Sequence, residues 1–354
     1  MARRRDRLLR RRSQINHLKV TRIILWGILI VLVVPIGAYL ASTSVVCRVP
    51  AYPLSPDASR WSERANLPTP RSELAATAAG GKIYVAGGLE GSATSDAFEV
   101  YDPISDTWKA AKNLPVALHH TALAAAGGKV YMTGGFGDLA FSQTSDLAWA
   151  YDPQSDYWRQ VASLPGERAA HTMAEVGGKL YVVGGVPDAT ALWAYDPSSD
   201  TWETGLAPMP TAREHLASAV VDGKLFVIGG RWHGAGNVAT SEVYDPRTDT
   251  WESLPNLPSA RGGLTAGAIA DRIYVGGGED PWARRGSGCT YNTLEAYDIA
   301  TNQWSRLDSL PTGRHGLASA IVNGQWYVIG GATRPTAGTL ISVSKQVETY
   351  TPSR

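Results

Sequence analysis

The fold is decided by a short unit that recurs along the chain, and residues 177–202 show it clearly: GGKLYVVGGVPDATALWAYDPSSDTW. The pair Gly177-Gly178 supplies the positive φ of a two-residue hairpin turn, and a strand rich in β-branched and aromatic residues comes after it. That strand ends in Gly184-Gly185, a second strand ends in Tyr195, and Trp202 lies seven residues later. The unit therefore predicts antiparallel strands joined by tight turns.

This unit occurs six times, and consecutive copies are 45 to 53 residues apart. The glycine pairs that end the first strand of each copy are Gly87-Gly88, Gly134-Gly135, Gly184-Gly185, Gly229-Gly230, Gly277-Gly278 and Gly330-Gly331. Repeats of this length indicate a solenoid, a propeller or an array. The β-branched and aromatic strands favour a β-propeller with six blades.

The sixth copy is completed by residues from the other end of the sequence. Tyr350 has no Trp seven residues after it, whereas Trp61 precedes the first copy without a matching Tyr. A strand containing Trp61 would complete the sixth blade, and such closure removes the free edges of the sheets. We therefore predict an all-β, six-bladed propeller over residues 57–354, closed by its N-terminal strand.

The repeats resemble the Kelch repeat family, whose pattern is an apolar strand ending in Gly-Gly, then Tyr-Asp, then Trp. Five of the six copies meet this pattern in full, and the resemblance covers residues 57–354. It implies a Kelch β-propeller. The resemblance does not specify a function, because propellers of this family serve as scaffolds, sugar binders and occasional enzymes.

The N-terminal part of the chain differs in composition from the repeats. Residues 1–22 carry eight Arg and Lys19 against one acid, Asp6, so the rest of the chain is acidic and a nucleic-acid partner has no support. Residues 23–47 contain no charge and predict a transmembrane signal-anchor, with the N-terminus in the cytoplasm and the propeller outside. A cleaved signal peptide, which would leave the protein secreted, is the alternative.

A short linker separates this segment from the propeller. Residues 48–56 contain Pro at every third position from Pro50 to Pro56, which favours an extended spacer. The chain has two cysteines, Cys47 and Cys289. An oxidising compartment would permit a bond between them, which the sequence leaves open.

One face of the propeller is expected to carry the binding site. If the strands of a blade are lettered a to d from the axis outward, the a–b and c–d turns lie on one face. The b–c and d–a connections lie on the other, which we call the loop face. From the second Gly of the pair to the Tyr the chain takes 10 to 19 residues, depending on the blade. Long variable loops on a rigid scaffold are where binding usually occurs.

A repeated Arg is the first candidate for that site. It falls in the d–a connections at Arg71, Arg168, Arg213, Arg261 and Arg314, and blade 2 has Leu118 instead. The Kelch resemblance implies that an Arg at this position lines the ligand mouth, where a guanidinium suits a carboxylate or phosphate. The structural alternative is that these side chains bond strand carbonyls or acids of neighbouring blades.

Aromatic and polar loop residues complete the predicted ligand site: His215, Trp232, His233, Trp282 and Arg284. Further His and acidic residues lie nearby, at His119, His120, His171, His315, Glu73 and Glu214. They come from different blades without a matched repeat position, so the sequence predicts no metal site and no cofactor.

These features predict a binding module outside the cytoplasm that recognises a glycan, an acidic peptide or another small ligand at the loop face. The membrane is the second expected partner, through the N-terminal segment. The alternative is a sugar-modifying enzyme that resembles a bacterial sialic-acid mutarotase, with catalytic groups drawn from Glu73, Glu214, His215 and Arg213. No spacing in the sequence demands this chemistry, and a binding role requires less of the residues.

Overall fold

The computed structural model describes residues 45–48, 61–232, 235–283 and 288–352. The predicted basic segment, most of the predicted membrane segment and most of the predicted linker lie outside the described residues. Within the described part of the chain, no helix is long and apolar enough to cross a membrane.

Six antiparallel sheets form the blades of a propeller, with four strands along each blade and a fifth short strand in the sheet of blade 5. From strand a to strand d, blade 1 comprises Ala75–Ala79, Lys82–Ala86, Phe98–Asp102 and Thr107–Ala110. Blade 2 comprises Ala122–Ala126, Lys129–Thr133, Ala148–Asp152 and Tyr157–Gln160. Blade 3 comprises Thr172–Val176, Lys179–Val183, Leu192–Asp196 and Thr201–Glu203. Blade 4 comprises Ala217–Val221, Lys224–Ile228, Ser241–Asp245 and Thr250–Leu254. Blade 5 comprises Gly262–Ile269, Arg272–Asp280, Leu294–Asp298 and Gln303–Leu307. Blade 6 comprises Ala318–Val322, Gln325–Ile329, Val347–Tyr350 and, as strand d, Trp61–Glu63.

The loops between strands b and c contain further short elements. They are the strand pairs Leu89–Glu90 with Ala93–Thr94 and Arg231–Trp232 with Gly236–Asn237, the strand Cys289–Thr290 beside strand b of blade 5, and the 3-10 helix Thr336–Ile341.

The predicted closure of the ring is confirmed. Strand Trp61–Glu63 pairs antiparallel with Val347–Tyr350, and Trp61 lies opposite Tyr350. This is the register of the other blades, where Tyr101 lies opposite Trp108. The indole N–H of Trp61 donates to the carbonyl of Asp308 at 3.0 Å, which joins the N-terminal strand to the connection between blades 5 and 6.

The repeated Tyr and Trp pack between neighbouring blades, as the sequence predicts. In blade 1 the rings of Tyr101 and Trp108 lie 5.0 Å apart, and Tyr101 also lies against Tyr327 of blade 6. The indole N–H of Trp108 donates to the carbonyl of Ala65 at 2.8 Å, in the connection from the preceding blade. Each apolar cluster therefore binds two adjacent blades together.

Strand a of each blade contacts strand a of both neighbours, and together these strands surround the axis. They line an axial channel with a cavity of about 190 Å³. Their small residues, as in Ala75–Ala79 and Ala122–Ala126, allow the six strands to approach one another. The channel opens towards the loop face, where the d–a connections enter.

The segment before the propeller is attached to blade 5. Val46 forms a parallel bridge with Thr290, and Cys47 forms a disulfide with Cys289. Val46 and Cys47, which the sequence analysis placed at the end of the membrane segment, therefore belong to the compact unit that contains the propeller. The disulfide that the sequence left open is present.

Candidate functional site

The repeated Arg side chains do not line the mouth, which corrects the sequence-based expectation. All five, Arg71, Arg168, Arg213, Arg261 and Arg314, are 0% exposed. The guanidinium of Arg213 pairs with Glu242 at 2.7 Å, and that of Arg314 pairs with Glu348 at 2.6 Å. Both Glu residues are on strand c of the same blade. The Arg side chains hold their own blades together and are not available to a ligand.

A signal in the repeats predicts this pairing. Every Arg with a Glu partner belongs to a blade with Glu two residues before the repeated Tyr: Glu99, Glu242, Glu295 and Glu348. Blade 3 has Trp193 at that position, and the Arg168 guanidinium stacks 3.8 Å above its ring. Blade 2 has Trp149 there and Leu118 in place of Arg, so both members are apolar. The two positions vary together because their side chains touch.

Six residues form a closed ring at the mouth of the channel. Each lies two positions after the repeated Arg or, in blade 2, after Leu118. The members of the ring are Glu73, His120, Ala170, His215, Gly263 and Gly316, and their backbone φ values lie between 51° and 64°. The N–H of each member donates to the carbonyl of the member in the preceding blade, at 2.8 to 3.0 Å. We call these six residues the channel ring. Its hydrogen bonds fix the backbone from which three functional side chains project.

Three side chains of the channel ring converge. The Nε2 atoms of His120 and His215 lie 2.9 Å apart, and Oε2 of Glu73 lies 3.2 Å from Nε2 of His120. One ligand atom from each residue lies within 4.8 Å of the others, and all three residues are buried. The expectation that these residues share no repeat position is wrong, since each is two positions after the repeated Arg or its replacement, Leu118.

The small members of the channel ring make room for this group. A β-carbon on Gly316 would lie 2.4 Å from Oε1 of Glu73. Glycine at this position therefore gives space to the Glu73 carboxylate as well as adopting the left-handed conformation.

A second layer of polar groups surrounds the three. Glu214 hydrogen-bonds Nδ1 of His215, and its other oxygen accepts from Nε of Arg231 at 2.9 Å. Nη1 of Arg231 donates to Glu279 at 2.5 Å. Nδ1 of His315 lies 3.6 Å from Glu279 and 3.4 Å from Glu73, which returns the network to the channel ring. The polar groups thus form a closed circuit of buried contacts.

The charges of this circuit shift the pKa values of its members. Burial would lower the pKa of His315, but Glu279 and Glu73 outweigh burial and raise it to about 9. Burial would raise the pKa of Glu214, but His215 and Arg231 outweigh burial and lower it to about 2. At neutral pH His315 is therefore charged and Glu214 is ionised.

A pocket of about 630 Å³ opens above this circuit on the loop face. Its walls include Phe136, Phe141, Trp232 and Trp282, from blades 2, 4 and 5. Its floor includes Glu214, His215, Arg231 and Glu279. A volume of this size with apolar walls and a few polar groups is typical of a small-molecule site.

Three of the predicted site residues, His215, Trp232 and Trp282, meet in this pocket. The other two loop residues, His233 and Arg284, lie outside the described residues. The sequence interpretation did not include Phe136, Arg231 or Glu279. Each of them comes directly after a Gly-Gly pair, and this repeat position would have identified them.

The expectation of a basic mouth is also wrong for the described lining of this pocket. Glu214 and Glu279 are carboxylates, and the one guanidinium among the described lining residues, Arg231, is bonded to both of them. Among the described residues, this floor has no unengaged guanidinium for an acidic ligand. It does offer hydrogen-bonding groups beneath aromatic walls.

Comparison with known proteins gives a match to one family model. The model, described as the KLHDC2/KLHL20/DRC7 Kelch-repeats domain, matches residues 52–185 and 119–331. The chain is also similar to a solved structure described as "Structure of YjhT", with a TM-score of 0.69 and 19% identity over 81% of this chain and 97% of that one. At this identity the likeness shows the fold alone.

Curated proteins match over part of the chain. Kelch-like protein terF of Aspergillus terreus is 34% identical over 141 residues, which is 36% of this chain and 29% of that protein. Beta-scruin of Limulus polyphemus is 30% identical over 42% of this chain and 16% of its own length. Kelch-like protein 23 of Homo sapiens is 34% identical over 36% of this chain and 22% of its own length. The matched regions span less than a third of each of these relatives.

Proposed function

Since this chain belongs to the Kelch-repeat β-propeller family, we propose that it is an extracytoplasmic binding module that takes a glycan in its loop-face pocket. One observation carries the proposal: four aromatic side chains surround a polar floor within a pocket of about 630 Å³. Aromatic faces pack against the apolar faces of sugar rings, while carboxylates and imidazoles hydrogen-bond their hydroxyls.

The exposed rim of the pocket supports a binding role. Phe141 is 47% exposed and Trp282 is 53% exposed, and both line the pocket. Large apolar side chains that are exposed together on one face are typical of an interaction site. Because the described floor has no unengaged cation, a neutral glycan is favoured over an acidic peptide.

A location outside the cytoplasm has separate support. The disulfide between Cys47 and Cys289 is of a kind that persists in oxidising compartments and is rare in the cytosol. The Arg-rich segment before the uncharged residues 23–47 agrees with export of the propeller. A reporter fused after Arg354 should be active outside the cell and inactive in the cytoplasm. Cytoplasmic activity of the fusion would overturn this location.

A glycan array tests the proposed ligand directly. The full chain, purified under oxidising conditions, should bind a subset of neutral glycans. Competition by the free sugar should abolish the signal. An array with no signal above that of a chain denatured as a control would overturn glycan binding. Binding confined to acidic glycans would contradict the reasoning from the pocket floor.

A second candidate is a sugar-modifying enzyme that resembles the sialic-acid mutarotases. The observation that favours it is the contact between Glu214 and His215 on the pocket floor, which provides a carboxylate and an imidazole able to exchange a proton. Arg213, which the sequence also suggested for this chemistry, is excluded because it is fully buried. Sugar anomers that bind on the array should then interconvert faster with the protein present, measured by proton NMR. Rates equal to those in buffer would reject this candidate.

A further inference from the structure

We propose that Glu73, His120 and His215 of the channel ring form a binding site for one divalent transition-metal ion, with Zn²⁺ as the ion that fits best. This inference goes beyond the proposed glycan binding and does not depend on it. It rests on the convergence of three ligand atoms, on the hydrogen bonds that orient the two imidazoles and on access from the pocket.

The outer hydrogen bonds determine the proton positions on His119 and His120. Nε2 of His119 lies 2.9 Å from the carbonyl oxygen of Asp138. A carbonyl only accepts, so this nitrogen carries the proton and Nδ1 of the neutral His119 ring is bare. Nδ1 of His119 lies 2.6 Å from Nδ1 of His120. His120 must therefore donate this bond from Nδ1, which leaves its Nε2 bare.

The same reasoning applies to His215. Its Nδ1 hydrogen-bonds the Glu214 carboxylate, which accepts the bond. A metal ion binds the deprotonated form of this ring, in which Nε2 is bare. Nε2 of His120 lies 2.9 Å from Nε2 of His215 and 3.2 Å from Oε2 of Glu73. Lone pairs at these distances repel one another unless a cation, either a proton or a metal ion, lies among them.

The ligand set and its spacing fit a zinc-like ion. Two imidazoles and a carboxylate are ligands that Zn²⁺ uses at sites with three protein ligands. At Zn–N distances of about 2.0–2.1 Å, tetrahedral ligand atoms are about 3.3 Å apart. The distances of 2.9 Å between His120 and His215 and 3.2 Å between Glu73 and His120 are slightly shorter than this, and the ligand atoms of Glu73 and His215 lie within 4.8 Å of each other. A movement of the Glu73 and His215 side chains towards each other would complete the site.

The surroundings of the three ligands resemble the outer shell of a metal site. Glu214 orients His215, and His119 orients His120, which fixes their tautomers as carboxylates and neighbouring polar groups do for metal-bound imidazoles. Nδ1 of His315 lies 3.4 Å from Oε1 of Glu73, the oxygen that does not face His120. Oε2 of Glu73 is thereby left for the ion.

The ion would have an open position accessible from the pocket. His215 lines both the axial channel and the loop-face pocket. Three protein ligands leave one tetrahedral position of Zn²⁺ for water or for an oxygen of a bound ligand. The site would therefore add a Lewis-acidic contact to the floor of the pocket.

Metal titration of the full chain tests the proposal. After removal of metal with a chelator, the chain should bind one Zn²⁺ per molecule in a calorimetric titration. Co²⁺ in place of Zn²⁺ should give the intense visible absorption of a four-coordinate site with nitrogen and oxygen ligands. Zn²⁺ should also raise the unfolding temperature, because it binds the folded state.

Variants locate the site. His120→Gln and Glu73→Gln should each weaken Zn²⁺ binding at least 100-fold and abolish the cobalt spectrum. Glu214→Gln, which alters an orienting group, should weaken binding about 10- to 100-fold. His171→Gln is the matched control, since His171 is a buried His of the same channel that does not belong to the three ligands. It should bind Zn²⁺ like the wild type.

Two results would overturn the proposal. One is the absence of stoichiometric binding by the wild-type chain, which would mean that a proton and not a metal ion lies between the ring nitrogens. The other is unchanged binding and an unchanged cobalt spectrum in the His120→Gln and Glu73→Gln variants. Either result would leave the glycan array outcome unaffected, so failure of this proposal and failure of the proposed function are distinguishable.

Discussion

The guanidinium of Arg213 and the carboxylate of Glu242 form an ion pair at 2.7 Å in the interior of blade 4. Arg213→Leu should lower the free energy of unfolding by about 3 to 5 kcal/mol, because it leaves a buried carboxylate without its partner. Chemical denaturation measures this loss.

A double variant supplies the control. Arg213→Leu with Glu242→Trp reproduces the apolar combination of blade 2, where Leu118 and Trp149 belong to one core cluster. It should recover most of the lost stability, because well-packed apolar residues can replace a buried ion pair. If the single variant is as stable as the wild type, the Arg does not have the structural role assigned to it.

Gly316 should be more sensitive to substitution than a glycine of similar conformation elsewhere. Gly316 and Gly80 both have a φ of +57°, but a β-carbon on Gly80 would meet nothing within 4 Å. Alanine at either position costs about 1–2 kcal/mol for the left-handed backbone. Gly316→Ala should lower the unfolding temperature more than Gly80→Ala, because the β-carbon at position 316 displaces the Glu73 carboxylate. Equal losses in the two variants would show that Glu73 moves aside freely.

Closure of the ring predicts a role for Trp61 equal to that of Trp108. Each indole N–H donates to a backbone carbonyl, of Asp308 and Ala65 respectively. Trp61→Ala and Trp108→Ala should each lower stability by about 2 to 4 kcal/mol, somewhat less than the loss of a fully buried Trp, since both are partly exposed. Denaturant titration compares them. A loss from Trp108→Ala alone would mean that the N-terminal strand contributes little to blade 6.

His171 predicts a pH dependence of stability. Burial lowers its pKa from 6.5 to about 3. Below pH 6.5 the imidazole of His171 is therefore protonated in the unfolded chain but stays neutral in the folded chain. The free energy of unfolding is highest above that pH and falls as the pH drops towards 3. Between pH 7 and pH 5 the contribution is about 2 kcal/mol. His171→Gln should remove this part of the pH dependence in urea unfolding. Identical pH profiles for variant and wild type would contradict the assignment.

The fold could be predicted from the sequence because the same strand and turn pattern occurs six times. Hairpin glycines, the Tyr–Trp spacing and the displaced Trp61 each specify a local feature, and closure is their consequence. The loop face and the meeting of His215, Trp232 and Trp282 were also predictable, because strand direction determines the face on which a connection lies.

The direction of a side chain on that face was not predictable from its position alone. Arg213 enters from the loop face but turns inward to Glu242, which is 29 residues away in sequence. Glu73, His120 and His215 belong to three different blades, and only the geometry of the channel ring brings their ligand atoms together. Aligning the six copies on the repeated Arg would have revealed the shared position but not the distances.

The assignment of binding to the loop-face pocket is tested most directly by a calorimetric titration with the strongest glycan from the array. Trp282→Ala, on the pocket wall, should weaken binding at least tenfold, which corresponds to about 1.4 kcal/mol. Tyr157→Ala is the matched control, because Tyr157 is an aromatic residue 63% exposed at the c–d turn on the opposite face. It should bind like the wild type. Unchanged affinity in Trp282→Ala together with a loss in Tyr157→Ala would show that the ligand binds the turn face instead.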